Sequence, residues 1–160
     1  MKIITVSGAS SGTGKTCIAS EILNHLKDWS AIKVTVTHAG PCPAGRNCGV
    51  CGKLKSEYSI ITDSGILNEK GKDTSRLKTA GARKVVWLRA RPGGLKTGLK
   101  KALALLKDAK GVVIESNSAL KYIKPDIAIF IKQEQGIAKK SAKDAIRKAD
   151  LIFTLKKGLM

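Results

Sequence analysis

The sequence predicts an α/β protein whose sheet is doubly wound and mainly parallel, with helices on both faces. Three observations lead there. Apolar runs of strand length alternate along the chain with segments of helical period. A turn rich in glycine and serine joins the first such strand to the first such helix. The chain is 160 residues long and 42% hydrophobic, enough for one substantial core, with no internal repeat, low-complexity tract or linker to divide it. A single domain spanning 1–160 is expected, with an inserted segment at about 39–56. Aromatic residues make up only 4%, so Ile, Val, Leu and Ala must do the packing.

Taken in order, residues 2–7 read as a buried strand and 15–28 as a helix with Ile18, Ile22, Leu23 and Leu26 on one face. Residues 31–37 form a second strand. The chain from His38 to about Lys72 is less regular, with a short strand at 58–62. A helix follows at 73–81, then the strand KVVWLR at 84–89, broken by Arg91-Pro92-Gly93-Gly94. Residues 95–108 are strongly amphipathic, with Leu95, Leu99, Leu103 and Leu106 sharing a face. Strands at 111–115 and 126–132, a helix at 138–149 and a strand at 150–155 complete the pattern. Strands separated by helices must cross over, which implies parallel pairing.

Lys and Arg total 30 against 12 acidic residues, a formal charge of +18. Such a field attracts anions, including nucleotide phosphates, nucleic acid and acidic proteins, without choosing among them. Few aromatics are present to stack bases and no nucleic-acid motif is found, which argues against a nucleic-acid module. No stretch approaches about 20 consecutive apolar residues, so no membrane partner is expected. The opening MKIITVSGASSG lacks the apolar region and cleavage site of a secretory signal, and a cytoplasmic protein is expected.

Ala9-Ser10-Ser11-Gly12-Thr13-Gly14-Lys15-Thr16 fits the phosphate-binding loop pattern with Ala9 in place of its first glycine. Gly12 and Gly14 permit a backbone that turns successive N–H groups inward as an anion nest. The helix beginning near Lys15 adds the positive end of its dipole. Lys15 has the reach for β- and γ-phosphates, and the Thr16 hydroxyl is a ligand type for Mg²⁺. Ser10, Ser11, Gly12, Thr13, Gly14, Lys15, Thr16 and Cys17 therefore form the expected nucleotide contact, in a P-loop NTPase fold. Ser10 stands where ATPases of the nitrogenase-iron-protein kind carry an additional lysine, so that subtype is excluded.

Glu115 ends an apolar strand expected beside this loop, where a carboxylate can hold Mg²⁺ through water or orient an attacking water. Asn117 and Ser118 follow it as weaker candidates for substrate contact. Asp73 either caps the helix after it or supplies a second carboxylate directed at Mg²⁺, and Asp63 offers the same choice more weakly. Lys15, Glu115 and Asp73 are the candidate catalytic residues, and Thr16, Glu115 and Asp73 the candidate Mg²⁺ set.

Gly12 to Thr16, a strand running to His38, Gly71 to Leu77 (GKDTSRL), Ala80 to Ala82 and the strand ending at Glu115 together resemble the molybdopterin-guanine dinucleotide biosynthesis protein B family of small P-loop GTPases. The likeness runs from residue 1 to about 131. It implies a homodimer that binds a nucleoside triphosphate and assists assembly or delivery of a molybdenum or tungsten pterin cofactor to a client metalloenzyme. Lys15, Thr16, Asp73 and Glu115 would then serve nucleotide and metal. This sequence departs from the family pattern in having Ser116-Asn117 after Glu115, no histidine-rich patch beyond His38, and a cysteine segment in its place.

That segment holds Cys42, Cys48 and Cys51, with the last two as CxxC. Three thiolates with His38 would close a tetrahedral zinc site. With an outside fourth ligand they would hold an iron–sulfur cluster, the reading slightly preferred on ligand count and spacing. His38 equally suits the nucleotide side. Cys17 is expected to be a small buried residue of the first helix, His25 to be on the surface and Trp87 in the core.

Arg83, Lys84, Arg89, Arg91 and Lys96 form a basic cluster that would suit a pyrophosphate-bearing cofactor or acidic partner, or simply a solvated face. Lys132-Gln133-Glu134-Gln135 follows a strand at the place where nucleotide-binding proteins read the base. It is not the Asn-Lys-x-Asp signature, so GTP and ATP both remain open. Three functions are carried forward: a metallo-cofactor accessory NTPase, a small-molecule kinase on the same fold, and a basic nucleic-acid-binding module.

Overall fold

The computed structural model describes residues 1–37, 54–134 and 140–155. Its centre is a seven-stranded sheet of order β3-β4-β2-β5-β1-β6-β7. The strands are β1 (Lys2–Gly8), β2 (Trp29–Val36), β3 (Tyr58–Ile61), β4 (Val85–Ala90), β5 (Gly111–Glu115), β6 (Ile127–Gln133) and β7 (Leu151–Leu155). All neighbours pair in parallel except β3, which runs antiparallel along the β4 edge. The fold is α/β with a mostly parallel sheet, as the alternation of apolar runs implies.

The helices are α1 (Lys15–His25), α2 (Ser64–Leu67), α3 (Asp73–Thr79), α4 (Leu95–Ala104) and α5 (Lys140–Arg147). One core lies between the sheet and α1 and α3, built on Val6, Leu23, Leu77, Val113 and Ile131. A second lies on the opposite face under α4, built on Ile32, Leu88, Leu99, Val112 and Ile114. A smaller cluster under α5 joins Ala9, Leu120 and Phe130. Helices therefore cover both faces, as period-2 strands buried on two sides require.

Local chemistry explains the boundaries. The α1 helix stops at His25, short of the expected 28, because Asp28 takes a left-handed turn at φ 64° to swing the chain into β2. Gly111 opens β5 with no side chain because the Trp29 ring lies across it. A Cβ there would come within 2.5 Å of the ring. The four-residue α2 was not expected; Asp63 nucleates it by accepting a hydrogen bond from the Ile66 N–H at 3.0 Å. The α4 helix ends at Ala104, and residues 105–108 are turns.

One burial expectation is corrected and one refined. Cys17 is exposed. The buried stripe of α1 is Thr16, Ala19 and Leu23, and Ile18, Ile22 and Leu26 flank it half-buried. Trp87 packs against the core under α1 and α3, as expected, but from its edge and only partly buried. Its Nε1 donates to Thr35 Oγ1 at 2.9 Å, and Arg89 and Lys72 lie against its ring. His25 is exposed as expected and pairs with Glu21 at 3.0 Å. Among the described residues no helix is long and apolar enough to cross a membrane.

The four leucines expected on one helical face, three in α4 and Leu106 in the turn after it, are not equal. Leu95, Leu99 and Leu106 are almost wholly buried, whereas Leu103 only packs against the edge of the cluster. Leu99→Ala is therefore expected to cost about 2–5 kcal/mol in urea unfolding, and Leu103→Ala about half of that or less. Equal costs would contradict the packing.

Candidate functional site

The order of the sheet places β1 between β5 and β6, so the chain leaves β1 in one direction and returns past it in the other. In open α/β sheets the crevice at the carboxyl ends of such strands is where ligands bind. The loop 9–14 sits there, between β1 and α1, with Lys15 and Thr16 opening the helix.

Its conformation depends on three glycines. Gly12 and Gly14 adopt φ 76° and 86°, left-handed values that a side chain would strain. Gly14 precedes α1 directly, so the helix starts at Lys15 and directs its positive end to the loop. Gly8 is constrained by space instead. A Cβ there would lie 2.4 Å from Thr13 Oγ1 and 3.2 Å from the Ile131 carbonyl. Ala9, at the position where the loop pattern has glycine, is buried with Leu120 and Phe130 and uses its methyl as core. The close approach thus falls one residue earlier than the pattern places it.

Side chains finish the loop. The Asn117 amide clamps Gly8 from both sides: Gly8 N donates to Oδ1 at 2.8 Å, and Nδ2 donates to the Gly8 carbonyl at 2.7 Å. Asn117 thus supports the loop, although it also faces the cavity. Thr13 Oγ1 donates to the Ser10 carbonyl at 3.0 Å, and Lys15 Nζ to the same oxygen at 2.6 Å. The Lys15 ammonium therefore lies back across the loop.

In front of the loop opens a cavity of about 930 Å³, lined by Ser10, Ser11, Gly12, Gly14, Lys15, Thr16 and Cys17 from the loop and α1, by Lys33–Thr37 from β2 and its end, and by Asp73, Arg76, Pro92 and Glu115–Ser118. On the other side of the loop a second cavity of about 390 Å³ adjoins Ala9, Ser10 and Thr13 and reaches Phe130, Lys132, Gln133, Glu134, Lys143 and Ile146.

The polar centre of the larger cavity joins four residues from four elements. Thr16 Oγ1, in the first turn of α1, donates to Glu115 Oε2 at 2.9 Å. Lys33 Nζ, from β2, donates to Glu115 Oε1 at 2.5 Å and to Asp73 Oδ2 at 2.6 Å. Glu115 ends β5 with its side chain 2% exposed, against 17% for Lys33 and 44% for Asp73. Burial is the largest influence on Lys33 and lowers its pKa, but attraction to Glu115 and hydrogen bonds to both carboxylates outweigh it, leaving the pKa above 10.5. Burial likewise raises the Asp73 pKa, and the Lys33 hydrogen bond and charge, with help from Thr16 and Arg76, bring it below 3.8.

Thr16, Glu115 and Asp73 are thus brought together as the sequence pairing anticipates. Asp73 is the first residue of α3 and Lys72 holds the N-cap position, so of the two roles left open the capping one is not realised. Asp63 is the carboxylate that caps. Ser118 lines the cavity rim, where its N–H donates to the Ser116 hydroxyl at 3.1 Å. Lys33 is the residue that sequence reasoning missed. The available signal was a single charge inside the otherwise apolar strand AIKVTV, and its register partner is Glu115.

The basic cluster is dispersed. Arg83 bonds the Asp108 carbonyl, Arg91 bonds Glu57 and the Leu54 carbonyl, and Arg89 lies against Trp87. His38, Cys42, Cys48 and Cys51 lie outside the described residues. Among the described ones no three His, Cys, Asp or Glu side chains gather as a metal site. Compared with protein-family models, curated proteins and solved structures, the chain matches none.

Gly8→Ala is expected to destabilise the fold by about 1–3 kcal/mol, whereas Ala9→Gly removes only a methyl and costs about 1 kcal/mol, both read by urea unfolding. The ion cluster also sets a pH window. The Asp73 contribution, with its folded pKa depressed, is present above 3.8 and is lost as pH falls through that lower folded value. The Lys33 contribution, with its folded pKa raised, is present below 10.5 and is lost as pH rises through the folded value. The stability gap between wild type and Asp73→Asn, which leaves Lys33 paired with Glu115, should therefore be flat from about pH 5 to 10 and narrow at both extremes. A gap that is already closing near neutrality would contradict the assignment.

Proposed function

We propose that this chain is a P-loop NTPase that binds GTP or ATP with Mg²⁺ at residues 9–16 and acts as an accessory factor in metallo-cofactor assembly. One observation carries the nucleotide reading. A loop with two left-handed glycines and a lysine opens α1, and the next hydroxyl, Thr16, converges with two carboxylates beyond it. Hydroxyl and carboxylate oxygens are the donor set of a hard cation, and Thr16, Glu115 and Asp73 would hold Mg²⁺ directly or through water. When bound, the ion would offset negative charge on the β- and γ-phosphates.

The remaining work belongs to the chain. Backbone amides of the loop and the end of α1 bind phosphate oxygens. Lys15 turns from the Ser10 carbonyl to the phosphates, a short swing about its own stem. Glu115, buried and hydrogen-bonded, is held rigidly enough to position a water. The cavity of about 390 Å³, apolar at Phe130 and Ile146 and polar at Gln133 and Glu134, is suited to the base.

The assembly role rests on the resemblance of GKDTSRL, the loop and the strand ending at Glu115 to the molybdopterin-guanine dinucleotide biosynthesis protein B family, and on the cysteine segment. That resemblance also supplies the expected homodimer and the pterin-type cofactor or client metalloenzyme as partner. A small-molecule kinase is the second reading. It is favoured by the extent of the larger cavity past the loop toward Thr35, Thr37, Arg76 and Pro92, which leaves room for an acceptor. Turnover that rises only with an added acceptor would select the kinase.

Calorimetry with GTP and ATP in the presence of Mg²⁺ tests the central claim. The wild type is expected to bind at least one, and Lys15→Ala to lose about 100-fold or more in affinity. Folded wild-type protein that takes up neither nucleotide would end the NTPase reading. For the cysteine segment, protein purified without oxygen is expected to carry either iron with sulfide or zinc, and Cys48→Ser to lose it. Metal-free protein from that preparation would remove the segment from the proposal.

A further inference from the structure

The nucleotide reading gives Lys33 no task, yet Lys33 holds the centre of the site. Its ammonium occupies the point where Glu115 Oε1 and Asp73 Oδ2 converge, 2.5 and 2.6 Å away, and Glu115 is at the same time bound to Thr16. A divalent cation using Thr16 and these carboxylates would lie within a few ångströms of that ammonium and compete for the same oxygens. Lys33 also lines the cavity that the loop faces, on a flexible four-carbon stem, so phosphate oxygens in that cavity are an alternative partner for its charge.

Resting on the nucleotide reading, we propose that Lys33 is an internal counter-ion that holds the Asp73–Glu115 pair closed to Mg²⁺ until a nucleotide is present. A divalent ion alone must displace the ammonium with nothing to receive it. When nucleotide is bound, the γ-phosphate receives the displaced ammonium, and metal affinity rises. Metal and nucleotide thus bind with positive coupling, and Lys33 adds to the coupling that phosphate ligation of the metal supplies. It is a positioning residue for the acidic pair.

The test is titration of Mn²⁺, as a paramagnetic stand-in for Mg²⁺, into nucleotide-free protein. Wild type and Lys33→Arg, which keep the charge, are expected to bind weakly. Lys33→Met and Lys33→Gln are expected to bind about tenfold tighter or more, and the gain in Mn²⁺ affinity that GTP or ATP confers is expected to shrink by that same factor, leaving the part due to phosphate ligation of the metal. Circular dichroism verifies folding, and Gln keeps a hydrogen-bond donor for Glu115 in case Met does not fold. Should neither neutral variant fold, acylation of Lys33 in the wild type, followed by peptide mass spectrometry, gives the answer. Its rate should rise several-fold at saturating Mn²⁺, and an unchanged rate overturns the proposal. Equal Mn²⁺ affinities in folded wild type and neutral variants also overturn it. If the wild type binds nucleotide while those affinities are equal, only the role of Lys33 falls. If no nucleotide binds, the reading beneath it fails on separate evidence.

Discussion

A carboxylate buried between the central strands constrains the rest of the site. Glu115 ends β5 almost without exposure, and an unpaired charge there would be untenable. Lys33 from β2 and Thr16 from α1 satisfy its two oxygens, and Lys33 extends the network to Asp73 on α3. Removing one member of such a buried pair typically costs about 3–5 kcal/mol, because the other is left charged in a dry place. The network therefore fixes where α1 and α3 sit relative to the sheet. The half-exposed arm to Asp73 is screened by water and holds less.

The loop at the end of β1 has the opposite character. It is built from what is absent, namely side chains at Gly8, Gly12 and Gly14. The Asn117 clamp on Gly8 links it to the turn after β5, the same strand that delivers Glu115. One strand end thus supports both the backbone turn and the acidic centre. This explains why Ser116-Asn117 follows Glu115 here: Asn117 bonds the loop backbone, and the Ser116 hydroxyl accepts the N–H groups of Ser118 and Ala119.

Local patterns made most of the architecture legible. The strand at 111–115 was readable to the residue because four apolar residues run into a charge. The loop and the start of α1 were readable because Gly14-Lys15-Thr16 has a chemical reason at every position. Leu103 faces the same core as Leu95, Leu99 and Leu106, as its spacing implies, but helical period does not say how far the sheet beneath extends, and Leu103 is only partly buried. Cys17 was misplaced for a related reason: the buried stripe of α1 runs through Thr16, Ala19 and Leu23, and Cys17 falls beside it.

From the sequence alone came the α/β class, the mostly parallel sheet, the glycine-rich turn between β1 and α1, and the candidacy of Thr16, Asp73 and Glu115, because each depends on residues within a few positions of one another. Only the tertiary structure decided that Asp73 faces the site and does not cap its helix, that close packing demands glycine at Gly8, and that Lys33 joins the acidic pair. The first and last of these depend on β5 inserting between β1 and β2, which sets Lys33 beside Glu115 across 82 positions of chain, and the second on β6 lying along β1. Strand order is a property of the assembled sheet, and no local periodicity encodes it.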